Sequence, residues 1–159
     1  MTVKGLTDED FVNYKFPSMF IATCYCSFKC DKESGVRCCQ NSALAAAPSK
    51  TLDDDFIIRR YLSNPITKAI VFGGLEPINQ FDEMLSLIKK ARQEYHCLDP
   101  IVVYTGYNPD EIKAEVMALK HFPPVIVKYG RFVPDDKPRY DPVLGVTLSS
   151  SNQFAEEYT

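Results

Sequence analysis

Residues Phe20 to Asn41 read FIATCYCSFKCDKESGVRCCQN and hold Cys24, Cys26, Cys30, Cys38 and Cys39, five of the six cysteines of the 159-residue chain. A thiol used only to fill a core has no reason to cluster, so this density marks a metal or sulfur site. Cys26 and Cys30 are separated by three residues, and the adjacent Cys38 and Cys39 follow a loop, DKESGVR, whose Gly35 permits a tight reversal. Four thiolates can close a tetrahedral zinc site. Against zinc, neighbouring cysteines point in different directions from one backbone and rarely serve the same tetrahedral ion. Three thiolates on an iron–sulfur cubane leave one iron open to a ligand. Spacing alone favours iron–sulfur only slightly, and both readings stand at this point.

The segments around the cysteines say where such a site sits. Upstream, FPSMFIAT (Phe16 to Thr23) is a nearly continuous apolar run after a lead-in, Met1 to Lys15, for which we expect one turn of helix near Asp8 to Val12. The run reads as a buried parallel strand whose carboxyl end delivers the cysteines, where ligands sit in α/β sheets. Downstream, SALAAAP makes a short helix stopped by Pro48. TLDDDFIIRRYLSNP makes a longer one, with Thr51 as cap and Leu52, Phe56, Tyr61 and Leu62 on its apolar side. A second strand, Ala69 to Phe72, runs into Gly73 and Gly74. An amphipathic helix follows, with Ile78, Phe81, Leu85, Ile88, Ala91 and Tyr95 on one face.

PIVVYT (Pro100 to Thr105) is a third strand, and Asn108 and Pro109 open a helix that carries Ile112, Val116 and Leu119 inward. PPVIVKYG is a fourth strand, and the tail after it has no clear period. Alternating strands and helices imply right-handed crossovers around a parallel sheet. We therefore expect an α/β fold in a single domain over residues 1–159.

A 45% hydrophobic fraction is enough for a real core, and a net charge of −3 with scattered basic residues speaks against a nucleic-acid partner. No apolar run approaches the roughly 20 residues needed to span a bilayer, so no membrane partner is expected. An acidic amino-terminal stretch unlike a signal peptide points to the cytoplasm. In that reducing compartment the cysteines read as ligands rather than a disulfide framework.

VFGGLEP places Gly73 and Gly74 directly after a buried strand, where the backbone can approach a ligand, with Glu76 able to accept hydrogen bonds from an ammonium. An ordinary strand-to-helix turn opened by Pro77 is the competing reading. Thr105 faces either a ligand or its own turn. Ser150, Asn152 and Gln153 contact a ligand or partner, or form a plain polar tail. Cys24 and Cys97 read as structural thiols, and His96 and His121 as helix-end residues rather than ligands.

Taken together, CSFKC, CCQN, FGGLEP, YTGY (Tyr104 to Tyr107), YGRF and SSNQ resemble, in this order and over nearly the whole chain, the radical S-adenosylmethionine superfamily. Within it the likeness is to the activating proteins of anaerobic ribonucleoside-triphosphate reductase. That resemblance implies an incomplete parallel β/α barrel and a [4Fe–4S] cluster held by Cys26, Cys30 and Cys39. It also implies S-adenosylmethionine on the open iron, near Cys38, Gly73, Gly74, Glu76 and Thr105. The implied reaction is reductive cleavage of S-adenosylmethionine to methionine and a 5′-deoxyadenosyl radical, which installs a glycyl radical on the reductase catalytic subunit. Electrons would come from a low-potential donor such as flavodoxin. The chain departs from the family in the insertion between Cys30 and Cys39, in the extra residue of GGLEP, and in Tyr129 where an Asp often stands. Cys39 is the preferred third ligand because Gln40 and Asn41 follow it; Cys38 is the alternative. Two other functions fit less well: a radical enzyme acting on a small molecule, as in deazapurine-precursor synthesis, and a non-enzymatic zinc or iron–sulfur binding module.

Overall fold

The computed structural model describes residues 1–159. In chain order the elements are β1 (Thr2–Val3), β2 (Gly5–Asp10), β3 (Ser18–Thr23), α1 (Lys29–Ser34), α2 (Ser42–Ala46), β4 (Lys50–Thr51), α3 (Asp54–Ser63), β5 (Ala69–Gly74), α4 (Phe81–Gln93), β6 (Ile101–Tyr104), α5 (Lys113–Leu119), β7 (Val125–Tyr129), β8 (Arg139–Asp141), β9 (Val146–Leu148) and β10 (Phe154–Tyr158). Short 3-10 turns at Pro77–Gln80 and Pro109–Glu111 lead into α4 and α5.

Six strands form one sheet in the order β10-β7-β6-β5-β3-β2. The central four, β3, β5, β6 and β7, are parallel neighbours, with Ile21 opposite Phe72, Phe72 opposite Val103 and Val103 opposite Val127. Their side chains alternate between two apolar layers. One layer joins Ile21, Ile70, Ile101 and Val127 to Ile57, Leu87, Ile88 and Leu119 of the crossover helices. The other joins Ala69, Val71, Val102 and Ile126 to Tyr14, Leu144 and Leu148. Burial on both sides is why these strands read as unbroken apolar runs. No helix is long and apolar enough to cross a membrane.

The result is a mixed α/β fold with a mostly parallel central sheet that stays open. Both of its edges are antiparallel: β2 on β3, and β10 on β7. The helical turn expected near Asp8 to Val12 is therefore wrong as far as Asp10, which ends β2. Pairing with β3 overrides local propensity there, and Arg60 of α3 grips Asp8 at 2.5 Å. The tail, which shows no period, is fastened by polar contacts. Buried Asp141 accepts from Leu144 N and Ala155 N, both at 2.9 Å, and Gln153 donates to Gly130 O.

Two details of α3 also differ from expectation. Asp53 is the cap rather than Thr51, its carboxylate accepting from Asp55 N at 2.7 Å and Phe56 N at 3.4 Å. The face turned inward is Ile57, Ile58 and Tyr61, so Phe56 and Leu62 stand 47% and 46% exposed. In α4 the buried face is Met84, Leu87, Ile88 and Ala91, with Ile78, Phe81, Leu85 and Tyr95 packed at its margin.

Candidate metal centre

The cysteine loop leaves the carboxyl end of β3 and is tied at once to the end of β5. Thr23 Oγ1 donates to Gly73 O at 3.0 Å, Cys24 N to Gln80 Oε1 at 3.0 Å, and Glu76 N to Tyr25 O at 2.8 Å. Cys24 is buried by these contacts and Cys97 lies buried in the helix-side layer, matching their reading as structural thiols. After Cys26 the chain turns through Phe28 in a left-handed conformation, its N–H donating to Cys26 Sγ at 3.3 Å. Helix α1 then carries Cys30. The return limb is held by Asp31, whose Oδ1 accepts from Cys38 N at 2.8 Å and Cys39 N at 2.7 Å.

Cys26, Cys30 and Cys39 line one cavity of about 320 Å³, whose wall also includes Gly73, Gly74, Glu76 and Thr105. Cys38 is not on that wall; its Sγ lies 3.3 Å from Ser34 Oγ. A second grouping shares Cys30, because the ligand atoms of Cys30, Asp31 and Cys38 lie within 4.8 Å of one another. The two groupings compete for one thiol. The cavity-facing trio is a candidate centre, since three soft thiols beside open volume suit an iron–sulfur cluster, whereas in the other grouping Asp31 Oδ1 already accepts two N–H bonds.

Burial keeps two of the three thiols protonated. Burial, reinforced by the neighbouring thiols of Cys39 and Cys38 and the carboxylate of Asp31, pushes the Cys30 thiol up to about 12. Burial also raises Cys26, against the Phe28 N–H bond. Thiols held neutral in this way become good ligands when a metal ion supplies the missing positive charge and displaces their protons.

The glycines have separate jobs. A Cβ on Gly73 would crowd the Phe20 ring at 3.0 Å and touch Tyr104 Cβ at 3.6 Å, so the bare residue spares those two rings on the cavity wall. Gly74 has φ +82, and a Cβ there would lie 2.8 Å from Leu44 Cδ2 and 3.0 Å from Ala22 Cβ, so its bareness lets α2 dock behind Cys39. Glu76 is committed to the turn: Oε1 accepts from Ile78 N at 3.0 Å and Thr105 Oγ1 at 2.8 Å, and Oε2 accepts from Gly106 N at 2.8 Å. Three of the roughly four acceptor sites of a carboxylate are thus filled from within the protein. The Thr105 hydroxyl, which also accepts from Tyr107 N at 3.0 Å, bonds its own turn, the second of its two sequence readings. Burial raises the Glu76 carboxyl, opposed by these donors and by Lys128.

Three cations at the cavity were not singled out from sequence. Lys29 Nζ lies 3.3 Å and Arg131 Nη2 2.6 Å from Glu111 Oε1, so one carboxylate joins α1 to the end of β7. Arg131 Nε comes within 3.2 Å of Glu33 Oε1, close enough for attraction but without a well-aligned hydrogen bond. The third is Lys128, buried at 6% exposure. Its signal was a lone charge inside the apolar strand PVIVKYG. His121 Nδ1 meets Met117 O at 2.8 Å in the last turn of its helix, a helix-end contact.

The family model described as 4Fe-4S single cluster domain matches residues 18–154, from the first residue of β3 to the first of β10 and across all five loop cysteines. No curated protein and no solved structure matches the chain. With the match spanning most of the chain and three thiols lining one cavity inside it, the chain belongs to the 4Fe-4S single cluster domain family.

Proposed function

We propose that this 4Fe–4S protein is a radical S-adenosylmethionine enzyme of the glycyl-radical activase type, acting in the cytoplasm on an anaerobic ribonucleotide reductase. The observation that carries the reading is a convergence. Cys26 and Cys30 of CSFKC, Cys39 of CCQN and the glycines of FGGLEP line one cavity, at the carboxyl ends of adjacent parallel strands. In such a site the cluster supplies the electron that cleaves S-adenosylmethionine to methionine and a 5′-deoxyadenosyl radical. The protein's own residues bind and orient. Cys26, Cys30 and Cys39 would hold three irons of the cluster and leave the fourth for S-adenosylmethionine, with Gly73 and Gly74 on the wall of the same cavity. Four sequential parallel strands with their crossover helices on one face support the reading, since an incomplete β/α barrel is built from the same units.

A protein substrate is favoured over a small molecule by the cavity rim. Val12 lines the cavity yet is 72% exposed, with Phe11 at 64% next to it and Tyr25 at 51% beside Cys26. Apolar surface around a cofactor mouth suits a docking partner. A low-potential donor such as flavodoxin would supply the electrons.

Anaerobic reconstitution tests the proposal. It should yield about four irons and four sulfides per chain, and 5′-deoxyadenosine when S-adenosylmethionine and reductant are supplied. A protein that takes up stoichiometric zinc and cleaves no S-adenosylmethionine would sink it. A glycyl radical on the co-encoded reductase, seen by electron paramagnetic resonance, would separate the activase from a small-molecule enzyme.

A further inference from the structure

We infer that Cys30, Asp31 and Cys38 form a site for a divalent cation of the zinc class, filled in place of the cluster rather than beside it. Cys30 and Asp31 are successive residues of α1, and Cys38 faces them from the return limb, so that the three ligand atoms lie within 4.8 Å of one another. Cys30 Sγ is 4.0 Å from Asp31 Oδ1. With zinc–sulfur bonds of about 2.3 Å and zinc–oxygen bonds of about 2.0–2.2 Å, a tetrahedral ion spaces its ligand atoms by about 3.5–3.8 Å. The gathering still required is on the order of 1 Å.

The loop is ordered for this before any ion arrives. Gly35, at φ +72, turns the chain and donates its N–H to Asp31 O at 3.1 Å, while Asp31 Oδ1 gathers the N–H groups of Cys38 and Cys39. Those two bonds use one carboxylate oxygen; Oδ2 has no hydrogen-bond partner and is the oxygen left to ligate. Ser34 Oγ, 3.3 Å from Cys38 Sγ, can donate to that sulfur once it is a thiolate, the outer-shell support that metal ligands use. Two thiolates and one carboxylate suit zinc and exclude calcium and magnesium, which take oxygen ligands. Binding displaces the two thiol protons and leaves a fourth position to water. Cys30 also lines the cluster cavity, so filling either site withdraws its sulfur from the other.

The test uses the full chain, stripped of metal and kept reduced without oxygen. Cobalt(II) is titrated first, because its visible bands report tetrahedral geometry and its sulfur-to-cobalt absorption scales with the number of thiolates. The expected result is one tetrahedral ion bearing two thiolates and displaced by zinc. Cys38→Ser and Asp31→Asn, the latter keeping an oxygen for the loop's N–H bonds, should each weaken zinc binding more than about tenfold. Zinc should still bind Cys26→Ser and Cys39→Ser as it binds the wild type, although neither variant can hold the cluster. Loss of zinc from Cys26→Ser or Cys39→Ser as severe as from Cys38→Ser, or a cobalt spectrum with three thiolates, overturns the inference, because the ion then sits in the cavity. Exclusivity is read by adding zinc before iron and sulfide: the wild type should build less cluster in proportion to the zinc bound, and cluster-loaded protein should take up none. Zinc and a full cluster on the same chain would overturn it. None of these readouts needs S-adenosylmethionine, so failure of the loaded protein to cleave it would count against the proposed function alone.

Discussion

Replacing Gly74 with Ala should cost far more than the same change one residue earlier, and the structure says why. At φ +82 an alanine pays about 1–2 kcal/mol for the left-handed backbone. Its methyl would also sit 2.8 Å from Leu44 Cδ2, 3.0 Å from Ala22 Cβ and 3.1 Å from Ala22 Cα. Leu44 can shift, but Ala22 is part of a central strand and cannot, so overpacking adds about 1–3 kcal/mol. A stiffer unfolded chain returns about 0.4–1 kcal/mol. The net loss centres on about 3 kcal/mol, within roughly 1–5 kcal/mol, or a fall in Tm of about 6–12 °C at the central value for a chain of this size. Gly73→Ala has no left-handed penalty and is crowded by a rotatable ring, with Tyr104 Cβ at an ordinary 3.6 Å, so about 1 kcal/mol is expected. Urea unfolding of the metal-free variants should show this difference in midpoint at unchanged slope. Because Leu44 sits just beyond Cys39, Gly74→Ala should also retain less iron after reconstitution. Equal stabilities of the two variants, within 0.5 kcal/mol on the scale of surface substitutions, would refute the reasoning.

Two further outcomes are expected. Alanine at Cys26, Cys30 or Cys39 should abolish cluster binding as read by iron content and visible absorbance, whereas alanine at Cys24, Cys38 or Cys97 should keep it; retention in Cys39→Ala with loss in Cys38→Ala would move the centre to the other side of the loop. The hydrogen bond from Arg131 holds the Glu111 carboxyl down at about 2, below its unfolded value. The stability it contributes is present above the unfolded pKa and lost as pH falls through the folded one, so between about 4.5 and 2 the wild type should lose more thermal stability than Glu111→Gln.

The parallel core was legible because strands buried on both faces are written as unbroken apolar runs, and AIVFGG and PIVVYT are such runs. The edge strand β2 was not, since GLTDED carries the polar and charged residues that protect a sheet edge, and they mask its pairing. The face of α3 was misjudged because Phe56 is apolar yet points outward, and hydrophobicity alone does not fix a helix's rotation. At the site, sequence placed Glu76 and Thr105 at strand ends but could not say that their polar atoms bond each other. Adjacency of Cys38 and Cys39 likewise gave no direction; the turn held by Asp31 sends Cys39 to the cavity and Cys38 toward Ser34. Lys128 was passed over because a single lysine in a strand is usually an edge or surface residue.

Asp31 makes chain length between the candidate ligands immaterial. By drawing the N–H groups of Cys38 and Cys39 onto one oxygen, it joins the two limbs of the insertion at their base, so the residues between them form a side loop. A metal centre senses distances between sulfurs, whereas a sequence pattern counts letters. Such a carboxylate lets the count drift while the distances hold, and sites of this kind should be sought by looking for an acidic residue next to a cysteine, with the remaining cysteines displaced downstream.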